Sequence, residues 1–238
     1  MARILNFPLT GGIIDPGLSM QSNGAEYLGS TTIPSASVPQ GVADHLQPST
    51  APDGTPAMLS RITAGDVVAS GKVRSEVLTD TGLALTGTAR ERWYVWEMFM
   101  PVGWTVGTPI IVQQIHDDPD GGESPVKYIN FGVFASATEI ICRVPRDTPN
   151  ETYSTDRVVG VTPLITGRWV KCGLHARWEI DATGFIEFSY DGRMVANEWF
   201  RPSHFPDVRR PYFKAGLYNT SGDQGLISDH SAWYRNVA

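Results

Sequence analysis

The sequence predicts an all-β protein, a sandwich of two antiparallel sheets in a jelly roll whose curvature leaves a groove on one face. Three observations carry this expectation. Short apolar runs with period-two alternation follow one another from Ile62 onward. Sustained helical periodicity is absent, and turn residues punctuate the runs, with 24 Gly and 17 Pro against only 18% charged residues. At 238 residues and 41% hydrophobic content, the chain holds enough apolar material for one large domain spanning 1–238. No repeat of fixed period points to a propeller or solenoid.

Residues 1–60 come first. Between about Gly11 and Pro56 they are rich in Ser, Thr, Gly and Pro, which predicts an irregular arm with short edge strands wrapping the domain. Strand-like text then becomes nearly continuous: "DVVASGKVRSEVL", "RWYVWEMFMP", "PIIVQQIH", "KYINFGVFA" and "EIICRVP". After a polar loop come "RWVKCGLHARWEI", "GFIEFSYDGRMVANEW", "YFKAGLYN" and "SAWYRNVA". Asp191-Gly192, between "FIEFSY" and "RMVANEW", is a strong two-residue hairpin signal.

A net charge of −6, with no basic arm or stripe, argues against a nucleic-acid partner. It leaves room for an acidic polymer in a locally basic groove. No apolar run approaches bilayer-spanning length, so a soluble chain with no membrane partner is expected. The N-terminal "MARILNFPLTGG" is interrupted by Asn6 and Pro8 too early for a signal-peptide core. The expected location is still extracellular, reached after loss of a signal or by another route such as a virus particle. Cys142 and Cys172 lie in separate apolar runs without metal-ligand spacing; buried free thiols are the default and one disulfide the alternative.

Alternation assigns the polar residues of three strands to single faces. In "YFKAGLYNT", Tyr212, Lys214, Gly216 and Tyr218 share one side and Phe213, Ala215 and Leu217 the other. In "VRSEVL", Arg74 and Glu76 point one way, and in "IIVQQIHDD" Gln114 and His116 share a face while Ile115 turns inward. Each strand alone suits a solvated sheet face. Together they bring an arginine, a carboxylate, an amide, an imidazole, an ammonium and phenols, the inventory of a site for an anionic substrate. Lys127 and Arg143, cations on neighbouring runs, join Lys214, Glu76 and Tyr212 as substrate-binding candidates.

"RSEV", "QIH" and "YFKAGLYN" resemble the three signature segments of the alginate lyases of polysaccharide lyase family seven, roughly R-S/T-E-L-R, Q-I/V-H and Y-F-K-A-G-x-Y-N-Q, in the same order. The segments "WYVWEMFMPVGW" and "GRWVKCGLHARWEIDATGFIEFSYDGRMV" are similar to the broader heparin-lyase-like group of jelly-roll polysaccharide lyases. The resemblance runs from Lys72 to Tyr218 and implies a concanavalin A-like sandwich and β-elimination from a polyuronate, alginate first. Leu78 stands at the position of the family's second arginine, and Thr220 at that of its final glutamine. By the same resemblance, Ile115 within "QIH" implies activity on guluronate-containing blocks.

That chemistry is consistent with the residue types. Removing the weakly acidic proton beside a carboxylate requires donors aimed at the charge that develops there, and Gln114 and Arg74 supply an amide and a permanent cation. His116, with an ordinary pKa near ~6.5, suits the base. Tyr218 matches the family's catalytic tyrosine and is assigned to protonate the leaving oxygen, with Lys214 and Arg74 as the cations beside it. No metal or cofactor is required. "HDDPDGGES" places Asp117, Asp118, Asp120 and Glu123 in an incomplete calcium-loop spacing and reads as a polar rim.

Several side chains remain outside this set. His175, Arg177 and Glu179 alternate on one strand and either line the cleft or face solvent, with Trp178 and Ile180 expected inward. His45, His204 and His230 sit in loop-like contexts. No G-x-S-x-G segment supports a serine hydrolase, and nothing in the spacing of Glu187 and Asp191 selects them as a glycosidase pair. Two rivals stay open: a carbohydrate-binding or virion-surface domain of the same fold without turnover, and a lyase acting on glucuronan or a glycosaminoglycan.

Overall fold

Alternating runs become strands, fifteen of them, with no helix among the residues described. The computed structural model describes residues 18–22, 25–27, 46–63, 73–79, 91–116, 129–144, 157–200, 211–220 and 229–236. Every strand pair is antiparallel. The first sheet has eight strands in the spatial order β10 (Arg157–Pro163), β9 (Glu139–Val144), β8 (Ile129–Ala135), β7 (Ile110–His116), β14 (Tyr212–Asn219), β5 (Val73–Thr79), β1 (Leu18–Ser22) and β2 (Ala25–Tyr27). The second has seven: β13 (Arg193–Trp199), β12 (Phe185–Tyr190), β11 (Trp169–Arg177), β6 (Glu91–Phe99), β15 (His230–Arg235), β4 (Pro56–Ile62) and β3 (Leu46–Thr50). The sequence-distant β14 thus lies between β7 and β5, which brings the three polar faces together.

The core forms where the inner faces meet. Phe213 of β14 packs against Trp96 and Tyr94 of β6, with ring centroids 5.4 and 5.6 Å apart. Phe131 of β8 meets Phe188 of β12 at 5.6 Å. Burying a side chain of this size contributes about 2–3 kcal/mol, so these contacts fix the two sheets against each other. Among buried hydroxyls, Tyr190 accepts the Ile165 N–H at 3.1 Å. Asp191 and Gly192 turn the β12–β13 hairpin with φ of 53° and 75°, the paired positive values of a type I′ turn.

Two sequence expectations change, and one open alternative closes. The stretch "VVGVTP" falls in what read as a polar loop, yet it forms most of β10, an edge strand whose side chains remain largely accessible. Ile180 is 50% exposed instead of inward, because β11 ends at Arg177 and alternation ceases there; Trp178 is buried. Cys142 and Cys172 are both free, which excludes the disulfide alternative. Within the arm, residues 46–60 form β3 and most of β4, and most of its remainder lies outside the described residues.

Burial pushes the ionisation of Cys142, Cys172, Tyr190 and Tyr234 upward. The folded state therefore keeps protons that the unfolded chain releases near its ordinary values of 9.0 for a thiol and 10.0 for a phenol. The stability from these four groups is complete below the unfolded values and declines as pH rises past them. The urea midpoint is expected to hold between pH 7 and 8 and to fall clearly by pH 10.5. An unchanged midpoint at pH 10.5 would contradict this burial.

Candidate active site

The site is built on the open face of the eight-stranded sheet, opposite the core. Phe213, Ala215 and Leu217 of β14 all belong to the core, so Tyr212, Lys214 and Tyr218 project the other way. Strand register then sets neighbours. Tyr212 pairs with His116, Lys214 with Gln114, Gly216 with Glu76, and Tyr218 with both Arg74 and Ile111. Lys214 is 4% exposed and Gln114 and Glu76 fully buried, while His116, Tyr212 and Arg74 remain partly open.

One hydrogen bond spans this floor. Gln114 Nε2 donates to Glu76 Oε1 at 2.6 Å, although their strands are separated by β14. Two strand spacings amount to about 9–10 Å, so both side chains must lean across β14, where Gly216 carries no side chain to obstruct them. A primary amide has two N–H groups, and Glu76 engages one. Glu76 Oε2, Gln114 Oε1 and Arg74 Nε are buried without a protein partner among the described residues. Buried groups of this kind ordinarily find water or a ligand.

The remaining contacts orient the titratable groups. The Tyr212 hydroxyl lies 3.3 Å from His116 Nδ1, and their ring centroids are 5.5 Å apart. Lys214 Nζ sits 5.2 Å from the centre of the Tyr212 ring, and the Arg74 guanidinium 4.7 Å from that of Tyr218. Arg143 of β9 occupies the same cross-strand row as Gln114, with side-chain-less Gly132 between them, and its guanidinium covers Phe134 at 4.7 Å. Arg74 and Lys214 thus stand on the same floor as the Glu76 carboxylate, with Arg143 farther along the sheet, a row of cations that favours an anion.

Of the nine residues the sequence singled out, the structure gathers seven on adjacent strands and puts Arg143 on β9, separated from β14 by β8 and β7. Lys127 lies outside the described residues, as do Asp117, Asp118, Asp120, Glu123, His45 and His204. Asn130 was missed. It is the extra residue of β8 between the pairs His116–Ile129 and Ile115–Phe131, and both its amide atoms are buried without a partner among the described residues. A polar residue inside "INFGVFA" was the available signal.

The other candidates lie elsewhere. His175 is on the outer side of the second sheet, bracketed by Glu91 at 2.7 Å and Glu187 at 2.9 Å and stacked on Trp93 at 3.8 Å. Glu187 also accepts from Trp199, and Asp191 pairs with Arg168 in the hairpin turn, so neither joins the polar floor. Glu179 is buried beside Arg177. His230 bonds the Thr105 carbonyl at 2.7 Å and packs edge-on against Trp104. No group of three or more His, Cys, Asp or Glu among the described residues has a geometry suited to a metal ion.

Comparison with known proteins gives the floor its context. A family model described as polysaccharide lyase matches residues 42–238. The chain belongs to the polysaccharide lyase family. No curated protein sequence matches it significantly. Among solved structures, this lyase is similar to an endo-β-1,4-glucuronan lyase from the fungus Trichoderma reesei, at 22% identity and a TM-score of 0.61 over 78% of this chain and 81% of that one. An alginate lyase of polysaccharide lyase family 7 matches at 16% identity and a TM-score of 0.64, covering 94% and 93% of the two chains. An alginate lyase solved with dimannuronate matches at 12% identity and 0.59, covering 97% and 95%. At these identities the likeness establishes the jelly-roll fold.

Because Glu76 is the acceptor that holds the Gln114 amide, removing it leaves a buried donor unpaired. Glu76→Ala is expected to lower the lyase's unfolding free energy by about 1–3 kcal/mol, while Glu76→Gln, which keeps an amide oxygen as acceptor, recovers most of it. Urea denaturation monitored by tryptophan fluorescence measures both. Equal stability of Glu76→Ala and parent would show that Gln114 does not depend on this bond.

Proposed function

We propose that this polysaccharide lyase cleaves a polyuronate, alginate first, by β-elimination on the open face of β7, β14 and β5. The observation that carries the reading is the Gln114–Glu76 pair: a buried amide, held in place and flanked by Arg74 and Lys214, with His116 and Tyr218 on the same floor. The second N–H of Gln114 and the Arg74 guanidinium receive the uronate carboxylate and stabilise the charge that grows on it. Lys214, Tyr212, Glu76 and Arg143 line the path of the chain.

The proton at C5 passes to the His116 imidazole. Its electron pair forms the C4–C5 double bond, the bond from C4 to the glycosidic oxygen breaks, and the Tyr218 hydroxyl protonates that oxygen. Tyr212, bonded to His116 Nδ1, fixes the imidazole so that Nε2 faces the substrate. The carboxylate-binding groups recognise a uronate without choosing its C5 configuration, which keeps glucuronan as the second substrate to test. We further propose that the lyase works in the extracellular space or on a virion surface, where it would meet such a polymer.

Incubation with guluronate, mannuronate and mixed alginate blocks, glucuronan and heparin-type polymers is expected to raise ultraviolet absorbance from the unsaturated product on at least one of them. Binding without product on every polymer would instead support a non-catalytic carbohydrate-binding domain. His116→Ala is expected to reduce kcat by roughly a hundredfold or more. Tyr218→Phe should nearly abolish turnover with polymer binding intact, and Tyr212→Phe should keep much of it. Equal, mild effects at both tyrosines would remove the chemistry from this strand.

A further inference from the structure

Between Lys214 and Tyr218, strand β14 is irregular. Ala215 pairs with Gln113 and Tyr218 with Ile111, so β14 carries one residue more than β7 over this interval. The bulge is centred on Gly216, whose φ of 141° is a glycine conformation; a Cβ there would lie 2.1 Å from the Ser75 carbonyl oxygen. The β7–β8 ladder is disturbed at the same level, because Val112 is inserted between the pairs Ile111–Phe134 and Gln113–Val133. Bulges leave backbone groups without ladder partners, and buried ones must be satisfied from elsewhere.

Here the partners come across the core from the opposite sheet. The Leu217 N–H donates to Ser60 Oγ at 2.9 Å, and the Ser60 hydroxyl donates onward to the Ser75 carbonyl at 2.6 Å. The Tyr234 hydroxyl donates to the Val112 carbonyl at 3.0 Å, and its oxygen accepts the Gly216 N–H. Ser60 and Tyr234 are both fully buried and lie on the adjacent strands β4 and β15. Each hydroxyl thus takes a bulge amide and passes a proton bond to a neighbouring strand, one to β5 and one to β7. A serine and a tyrosine hydroxyl in an apolar core cost stability unless they are bonded, and these two are bonded to the backbone that carries Glu76, Gln114 and Tyr218.

Resting on the reading of this floor as a lyase site, we propose that Ser60 and Tyr234 are positioning residues: reaching through the core, they hold the β14 bulge that sets the distance of Tyr218 from the carboxylate-binding group Gln114. The bulge gives Tyr218 its place opposite Ile111 on the open face; without the extra residue, Tyr218 would fall opposite Ile110, whose side chain is in the core. Loss of either hydroxyl frees a bulge amide and lets Tyr218 shift against a substrate still held by Gln114 and Arg74. Small displacements of a proton donor lower turnover steeply, up to about 10²-fold for roughly 1 Å.

The test compares Ser60→Ala, Tyr234→Phe and Ser60→Thr with a core control on β11, separated from β15 by β6, Leu174→Ala, on the best uronate polymer. Ser60→Ala and Tyr234→Phe are expected to lower kcat about tenfold or more with KM within about twofold. Ser60→Thr, which keeps the hydroxyl, should restore much of the loss, and Leu174→Ala should keep kcat despite a greater fall in thermal midpoint. Parent-like kcat in both hydroxyl variants, or an equal loss in Leu174→Ala, would overturn the proposal while leaving the lyase reading intact. A parent that makes no unsaturated product from any uronate would instead remove the reading beneath it. Should both hydroxyl variants fail to fold, amide exchange in the parent decides: slow exchange at Gly216 and Leu217 supports the grip, and loop-like exchange overturns it.

Discussion

Strand β14 has to satisfy two environments at once. Its inner side chains, Phe213, Ala215 and Leu217, close the core against the second sheet, while the outer set floors the polar site. Because the two sets alternate on one backbone, neither can move without the other. The packing of Phe213 on Tyr94 and edge-on to Trp96 is therefore part of what holds Lys214 level with Gln114. A rigid packed interior transmits small shifts instead of absorbing them, which makes a sheet floor a more exact scaffold for chemistry than a loop.

The polar floor is costly to maintain. Glu76, Gln114 and Lys214 are almost fully buried, and Glu76 Oε2, Gln114 Oε1 and both amide atoms of Asn130 lack protein partners among the described residues. A fold selected for stability alone would place apolar or fully bonded groups at such positions. Retaining unsatisfied buried polar atoms beside Arg74 and Lys214 is what a site awaiting a charged, hydrogen-bonding ligand requires. The same logic separates this floor from the His175 cluster on the other sheet, where every hydrogen-bonding group of the imidazole is already engaged by Glu91 and Glu187.

Much of this was legible in the sequence because strand periodicity is short-range. "RSEV", "QIH" and "YFKAGLYN" announced which residues share a face, and the sandwich follows from the number and spacing of the runs. Which strands would be neighbours, and hence that Gln114 would reach Glu76 over Gly216, came only from the fold. The bulges escaped notice for the same reason: Gly216 signalled a close approach, yet nothing local linked it to Ser60, 156 positions earlier, or to Tyr234. β10 was lost in a polar stretch because an edge strand needs little apolar character, and the inward expectation for Ile180 extended alternation beyond the strand's end.

The central claim is that the open face of β7, β14 and β5 binds a uronate carboxylate in position for elimination. The most direct measurement is a crystal structure of the Tyr218→Phe protein with a uronate oligosaccharide. The account predicts a sugar carboxylate within hydrogen-bonding distance of the Gln114 amide and the Arg74 guanidinium, with C5 of that sugar facing His116. An oligosaccharide bound only on the outer face of the second sheet, beside Trp93 and Trp199, or one lying on the floor with its carboxylates turned away from Gln114, would contradict it.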